Sequence, residues 1–383
     1  MLALRTSKIT PFRVMQVLKT AAELEAQGHR VVHFEVGEPD FATAEPIVRA
    51  GQAALAQGYT KYTEATGIAP LRQAISDHYC ELGVEVPIER ICVTSGASGG
   101  LMLLSALLLD PQDQLLISDP GYPCNEVFAR AVGAQPVRVT TTPNNHFQPT
   151  WQDLQAAWGP NTKAALLASP ANPTGSMLPA AVLKEISAGI QQQGGCLILD
   201  EIYQGLVTDA PYTTGLAEVS DVFVLNSFSK FFGMTGWRLG WVVVPEVAVD
   251  ALTALAQNLF ISPSTPAQYA ALAAFSADAM AIHRERAQVF RQRQQQLLQG
   301  LQALGFRIPV TPDGAFYLYV DISHTGRNSM DFCAWLLNEH HVAVTPGEDF
   351  GDHDAQRYVR FAFTTDEASI DLGLRRIARA LAG

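Results

Sequence analysis

A chain of 383 residues is too long for one ordinary core and long enough for about two domains. Its 48% hydrophobic and 16% charged residues describe a well-packed globule and exclude a disordered or fibrous chain. The net charge of −11, with no clustered Lys/Arg footprint, argues against a nucleic-acid partner.

In chain order, the opening stretch MLALRTSKITPFRVMQVLKT carries charges early and lacks an apolar run followed by a small-residue cleavage site, so no signal peptide is expected. Short β-branched or apolar runs then alternate with helical periods. Strands are predicted at 90–94, 114–118, 135–139, 164–168, 196–200, 222–227 and 239–244, with helices at 100–109, 124–132 and 179–192 among them. Such alternation implies an α/β class with a mainly parallel sheet covered on both faces. The longest strongly apolar stretch, 101–109, is interrupted by Ser105 and falls well short of the ~20 residues that span a membrane.

After about Thr265 the pattern changes. One long helix is predicted over 267–304, with HRERAQVFRQRQQQ as its solvated face. A strand at 315–321, a helix near 329–339, apolar runs at 341–344 and 358–363, and a helix from Glu367 make an α+β second domain packed on the first. The five cysteines, an odd count without C-x-x-C spacing, are expected to be buried free thiols in a reducing cytoplasm. His340 and His341 are adjacent but have no Cys or carboxylate at ligand spacing, so a helix-end surface pair is expected and no metal site.

The segment N-S-F-S-K-F-F-G-M-T-G-W-R-L-G, 226–240, follows a buried strand. Aromatic and small neighbours around Lys230 favour a neutral, nucleophilic amine. Ser227 and Arg238 nearby suit an anionic phosphate whose carrier reacts with that amine; alone, the segment reads first as a surface Lys and a structural Arg. Asp200 ends the apolar run C-L-I-L-D, where acids of parallel sheets meet ligands, with Tyr203 three residues on. A buried carboxylate needs a partner such as a protonated ring nitrogen, although a helix N-cap is the plain alternative. Asn172 lies in the turn A-S-P-A-N-P-T-G. Gly96–Gly100 opens an apolar helix, where backbone amides at Ala97 and Ser98 can take an anion. The same five residues spell G-x-S-x-G, so a serine hydrolase using Ser98 is a rival; Asp200 with His283 or His353 would have to complete it, and no oxyanion motif accompanies it.

Taken together, N-P-T-G, D-E-I-Y and S-x-x-K with Arg238 beyond it, in this order and spacing, resemble the class I/II aminotransferases, pyridoxal 5′-phosphate enzymes of fold type I. The resemblance runs from about Ile9 to the C-terminus. It implies a large three-layer α/β/α domain with a mainly parallel seven-stranded sheet over 45–275, and a smaller α+β domain over 276–383 that also holds the segment 1–44. Lys230 is implied to bind the cofactor as a Schiff base and to shuttle the substrate Cα proton. Asp200 pairs with the pyridine nitrogen, Tyr203 and Asn172 bond the phenolic oxygen, and Tyr122, in D-P-G-Y-P, stacks on the ring. The amides of Ala97 and Ser98, with Ser227 and Arg238, hold the phosphate. Arg360, in Y-V-R-F-A-F, matches the Arg that grips the substrate α-carboxylate; Gly37, in V-G-E-P-D-F, and Asn172 meet the substrate beside it.

Tyr62 matches a tyrosine that reaches the phosphate of a neighbouring subunit, which implies a homodimer, and I-S-P-S-T-P-A-Q at 261–268 resembles an interface segment. Asn125 stands where relatives vary, and Ser98 where some carry Lys. No Arg for a distal carboxylate is identified; Arg13 is a candidate expected to face solvent instead. The implied function is ping-pong transfer of an amino group from an L-amino acid to a 2-oxo acid, 2-oxoglutarate by family habit. The fold also hosts C–S β-lyases on the same residues. A cofactor-binding sensor of a transcription regulator would need an added DNA-binding module, which the resemblance from Ile9 onward leaves no room for.

Overall fold

The computed structural model describes residues 2–9, 11–206 and 213–382. Among the described residues there are twelve strands: β1 Val32–His33, β2 Ile91–Thr94, β3 Gln114–Asp119, β4 Gln135–Thr140, β5 Thr162–Ala168, β6 Cys196–Asp200, β7 Val222–Ser227, β8 Gly240–Val243, β9 Tyr317–Asp321, β10 Val342–Ala343, β11 Thr345–Pro346 and β12 Tyr358–Ala362. The helices are α1 Arg13–Ala26, α2 Glu45–Ala56, α3 Ala69–Glu81, α4 Gly96–Leu108, α5 Cys124–Ala131, α6 Trp151–Ala157, α7 Ala180–Gln192, α8 Val249–Leu259, α9 Thr265–Leu272, α10 Ala277–Ala303, α11 Ser329–His340 and α12 Glu367–Ala382.

Seven strands form the main sheet in the order β2-β8-β7-β6-β5-β3-β4. Only β8 runs antiparallel, to both β2 and β7; the remaining pairs are parallel. Successive strand residues point to opposite faces, and the buried side chains divide accordingly. Val93, Ala165, Leu167, Leu197, Leu199 and Trp241 join one core with residues of α2, α3, α7 and α9. Cys92, Ala164, Leu166, Ile198, Leu225 and Val242 join another with α4 and α8. The three α/β/α layers follow from that split. Helices α2, α3 and α9 each begin with a proline in the first turn, where its missing N–H costs nothing.

The smaller α+β domain packs the antiparallel sheet β11-β12-β9 against α10, α11 and α12 around Phe290, Leu297, Leu318, Phe332, Phe361 and Ile377. Strand β1 pairs with β10, so a segment from the start of the chain completes a layer built from its end.

Several expectations need correction. The single helix over 267–304 is two helices, separated by a turn at Ala273–Phe275. Ser276 breaks it: its backbone is extended and its Oγ accepts from Ala279 N, an N-cap that outcompetes continuation. Its polar stretch is also not simply solvated. His283, Phe290, Arg293 and Gln294 are buried, with Arg293 Nη1 2.8 Å from Asp40 and Gln294 donating to Pro312 O. All five cysteines are free, but only Cys92 and Cys333 are buried; Cys124 and Cys196 are half-buried and Cys80 is exposed. His341 does end α11, in a left-handed conformation, with its ring stacked on His29. Among the described residues, no helix is long and apolar enough to cross a membrane.

Candidate active site

The carboxyl edge of the main sheet gathers most of the chemistry. Asp200 ends β6, in register with Ala168 of β5 and Leu225 of β7. The connection from β7 to β8 closes where Ser227 pairs with Gly240, and within it lie Ser229, Lys230, Thr235 and Arg238. Arg238 takes a left-handed φ of 55° and donates from Nη1 to Thr235 O, 2.9 Å. Its guanidinium rests over the start of α4. Gly96 there has φ +72°, a conformation that favours glycine, and a Cβ on it would come within 2.6 Å of Arg238 Nη2 and displace the guanidinium. No side chain caps the amino end of α4, which leaves the Ala97 and Ser98 region facing the cleft.

The smaller domain closes the other side. Arg360, in the middle of β12, is buried, with its guanidinium carbon 4.3 Å from the Tyr317 ring centroid and 4.9 Å from that of Phe350. Its Nη1 donates to Asn172 Oδ1 at 3.0 Å and its Nη2 to Glu35 O at 2.6 Å, while Nε has no partner. Lys230 Nζ donates to Gly37 O at 2.7 Å. The Tyr203 and Tyr317 hydroxyls share a hydrogen bond of 2.8 Å. One cleft is lined by Gly37, Ala97, Ser98, Tyr122, Asn172, Asp200, Tyr203, Ser227, Lys230, Arg238 and Arg360 together.

The sequence profile of the family described as Aminotransferase class I and II matches residues 29–377. The chain belongs to the class I and II aminotransferases. It is 37% identical to the valine–pyruvate aminotransferase of Mycobacterium tuberculosis, over 96% of both chains. It is 35% identical to the aspartate/prephenate aminotransferase of Thermus thermophilus, over 99% of this chain and 98% of that one. A crystal structure of an aminotransferase from M. tuberculosis superposes with a TM-score of 0.96 at 37% identity, covering 100% of this chain and 99% of that one. The aspartate aminotransferase of T. thermophilus with maleate gives 0.93 at 34% identity, covering 99% of each.

Aminotransferases of this family work with pyridoxal 5′-phosphate, and the residues present fit it. Burial pushes the Asp200 carboxyl up to about 7, against one backbone N–H from Ile202 and the charge of Lys230; a cationic ring nitrogen is the counter-charge that would restore its ionised form. Burial also brings the Lys230 amine down to about 8, opposed by Glu38 and assisted by the positive charges of Arg360 and Arg238. The uncapped start of α4 beside Arg238 suits a phosphate. Tyr203 is held well above its ordinary range by burial, so its hydroxyl stays a neutral donor.

Tyr62 is the sequence candidate that the fold leaves outside the cleft. It is 80% exposed, on a loop tied to α9 by Thr265 Oγ1 donating to Lys61 O and Gln268 Nε2 donating to Thr63 Oγ1. Asn125 is buried near Tyr122 with an unpartnered Oδ1. Among the described residues no histidine lines the cleft that contains Ser98, so a hydrolase triad lacks its base there; His283 packs on the Phe231 and Phe232 rings instead. Sequence reasoning missed Tyr317, Glu35, Glu38, Ser229 and the apolar residues Phe12, Met15 and Leu18 of the cleft wall. Ser229 was reachable through S-F-S-K; the others sit in ordinary apolar or acidic contexts that only packing brings here.

Proposed function

We propose that this aminotransferase moves an amino group from an L-amino acid to a 2-oxo acid by a ping-pong mechanism, with the cofactor attached through Lys230. The observation that carries the reading is a half-buried amine lowered to about 8 in one cleft with a buried acid, Asp200, and two arginines of separate tasks, Arg238 and Arg360. The cofactor, when bound, supplies the electron sink that makes the substrate Cα–H acidic. Asp200 holds the ring-nitrogen proton in place. Arg238, Ser227 and the amides of Ala97 and Ser98 bind the phosphate, and Tyr122 covers the ring face. Tyr203 and Asn172 donate to the phenolic oxygen. Arg360, in the cleft lining beside Gly37, would grip the α-carboxylate and so orient the Cα–H. Lys230, neutral above about pH 8, would take the proton from the substrate Cα and carry it for return on the far side of the amino nitrogen.

The acceptor implied by the resemblance is 2-oxoglutarate, whereas the M. tuberculosis relative carries pyruvate in its name; both belong in the assay. A homodimer with Tyr62 reaching the partner's phosphate site is supported by the exposure of Tyr62, and Tyr59, Leu259 and Ile261 are exposed large apolar side chains as well. The free thiols support a reducing compartment such as the cytoplasm.

The test is a half-reaction. Enzyme loaded with pyridoxal phosphate should absorb in the visible, lose that band on adding an amino acid, release the matching 2-oxo acid and regain the band with a 2-oxo acid. Borohydride should fix the cofactor on the Lys230 peptide. Release of ammonia and pyruvate from cystathionine, with no half-reaction, would point to the β-lyase chemistry and overturn transamination.

A further inference from the structure

We infer that the side-chain end of the cleft takes a neutral, apolar amino donor, selected by the N-terminal helix α1; the inference rests on the transamination reading and names its substrate class. Helix α1 carries two apolar stripes. One, with Val17, Ala21 and Leu24, packs into a small core with Val31, Leu337 and Ala343. The other, Phe12, Met15 and Leu18 at i, i+3 spacing, is not absorbed by that core and lines the cleft, leaving Met15 59% exposed.

Anchors at the start of the helix fix where that stripe sits. Both oxygens of Asp349 accept from the first turn of α1, Arg13 N at 2.9 Å and Val14 N at 3.1 Å. Phe350, next to this acid, packs on Arg360. The Phe12 ring meets the Tyr122 ring edge-on at 6.3 Å. The stripe therefore stands between the arginine that faces the α-carboxylate and the ring that covers the cofactor, where a donor side chain must leave Cα.

Charge within one subunit disfavours a second carboxylate. The cations lining the cleft are Lys230, Arg238 and Arg360, and each is committed to the cofactor amine site, the phosphate or the α-carboxylate. The remaining charged side chains of the lining are all acidic: Asp200 belongs to the cofactor site, Glu35 is paired with His33, and Glu38 is close enough to raise the Lys230 pKa. Arg13, the other candidate, is exposed with Nη1 against Met330 Sδ at 3.4 Å. A distal carboxylate would lose water against methionine and phenylalanine, facing like charge and no cation from this chain. An ammonium would lose water against the same wall. Both half-reactions use one cleft, so the same wall favours monocarboxylate 2-oxo acids such as pyruvate over 2-oxoglutarate.

The experiment compares single-turnover half-reactions of the loaded enzyme with leucine, methionine, phenylalanine, alanine, aspartate, glutamate and lysine. It adds calorimetric binding of two unreactive analogues, 4-methylpentanoate and succinate. Leucine or methionine should exceed aspartate by about 100-fold in kcat/KM, and 4-methylpentanoate should bind more tightly than succinate. Met15→Ala should lower kcat/KM for leucine by about 10-fold while leaving alanine within about twofold, and Met15→Arg should shift preference toward glutamate. Aspartate or lysine as the best donor, or Met15 variants that scale every donor equally, would overturn the inference. Loss of every half-reaction with the analogue preference intact would fault the assigned reaction and leave the apolar subsite standing.

Discussion

At the end of the cleft built on the main sheet, Asp200, Ser227 and Ser229 are buried, and Lys230 is enclosed beside them on strand ends and one short connection. At the opposite end, α1 offers Phe12, Met15 and Leu18 from a helix held by one acid and a small core. The contrast separates two demands. Proton transfer needs groups whose pKa values are set by burial and fixed neighbours, which strand ends supply because ladder hydrogen bonds hold both sides. Choice among donors needs only a wall of the right shape and polarity, and a surface helix can change that wall without disturbing the sheet.

The largest effect that would break the contrast is at Lys230. Lys230→Ala should lower the half-reaction rate by about 10⁴-fold while the cofactor still binds non-covalently, measured by single turnover and by equilibrium dialysis. Near-normal turnover in that variant would remove the sheet end from the chemistry. Arg360→Ala comes next: about 30-fold in kcat/KM, carried mainly by KM, for every donor alike, because the α-carboxylate is common to all of them. An effect confined to some donors would assign Arg360 to the selective end instead.

The pH dependence is a sharper probe of the rigid end. Burial lowers the Lys230 amine, so the rate at which apoenzyme captures pyridoxal phosphate should rise through about pH 8 and level off above it. Arg360→Gln removes a repelling positive charge and should move that midpoint upward; a downward move would contradict the electrostatic account.

The strap 32–38 joins the two ends, and its own ion pair gives a stability test. His33 Nδ1 lies 2.7 Å from Oε1 of the fully buried Glu35, and bonding to Glu35 and Glu25 raises the imidazole to about 9 despite the opposing effect of burial. A raised folded-state pKa stabilises fully below the unfolded value near 6.5 and is lost as pH rises through about 9. Thermal midpoints should therefore fall between those limits, and His33→Ala should flatten the fall. Smallest of all, Tyr62→Phe should weaken cofactor retention a few-fold, by about 1 kcal/mol, only where the enzyme is dimeric, read by dilution and size-exclusion chromatography.

Much of this was legible beforehand. The strands at 196–200 and 222–227 are found at those bounds, because each is a short apolar run buried on both faces and punctuated at its end by a polar residue. Lys230, Asp200, Asn172 and Arg238 were legible because a cofactor with several charged groups needs several residue types in a fixed order along the chain. The break at Ser276 was missed because helical periodicity continues across it; the cap is a local hydrogen bond that competes with that pattern.

The sequence by itself determined the fold class and the layered sheet, and it singled out the candidate reactive groups that the fold gathers in one cleft, since periodicity and motif order are properties of the chain. Only the tertiary structure decided what surrounds those groups. Tyr317 and Arg360 lie on neighbouring strands in a stack no motif encodes, and Met15 reaches the cleft because Asp349, far along the chain, fixes the start of α1. Contacts of that sequence separation depend on how whole layers pack, and burial, charge and donor choice all follow from that packing.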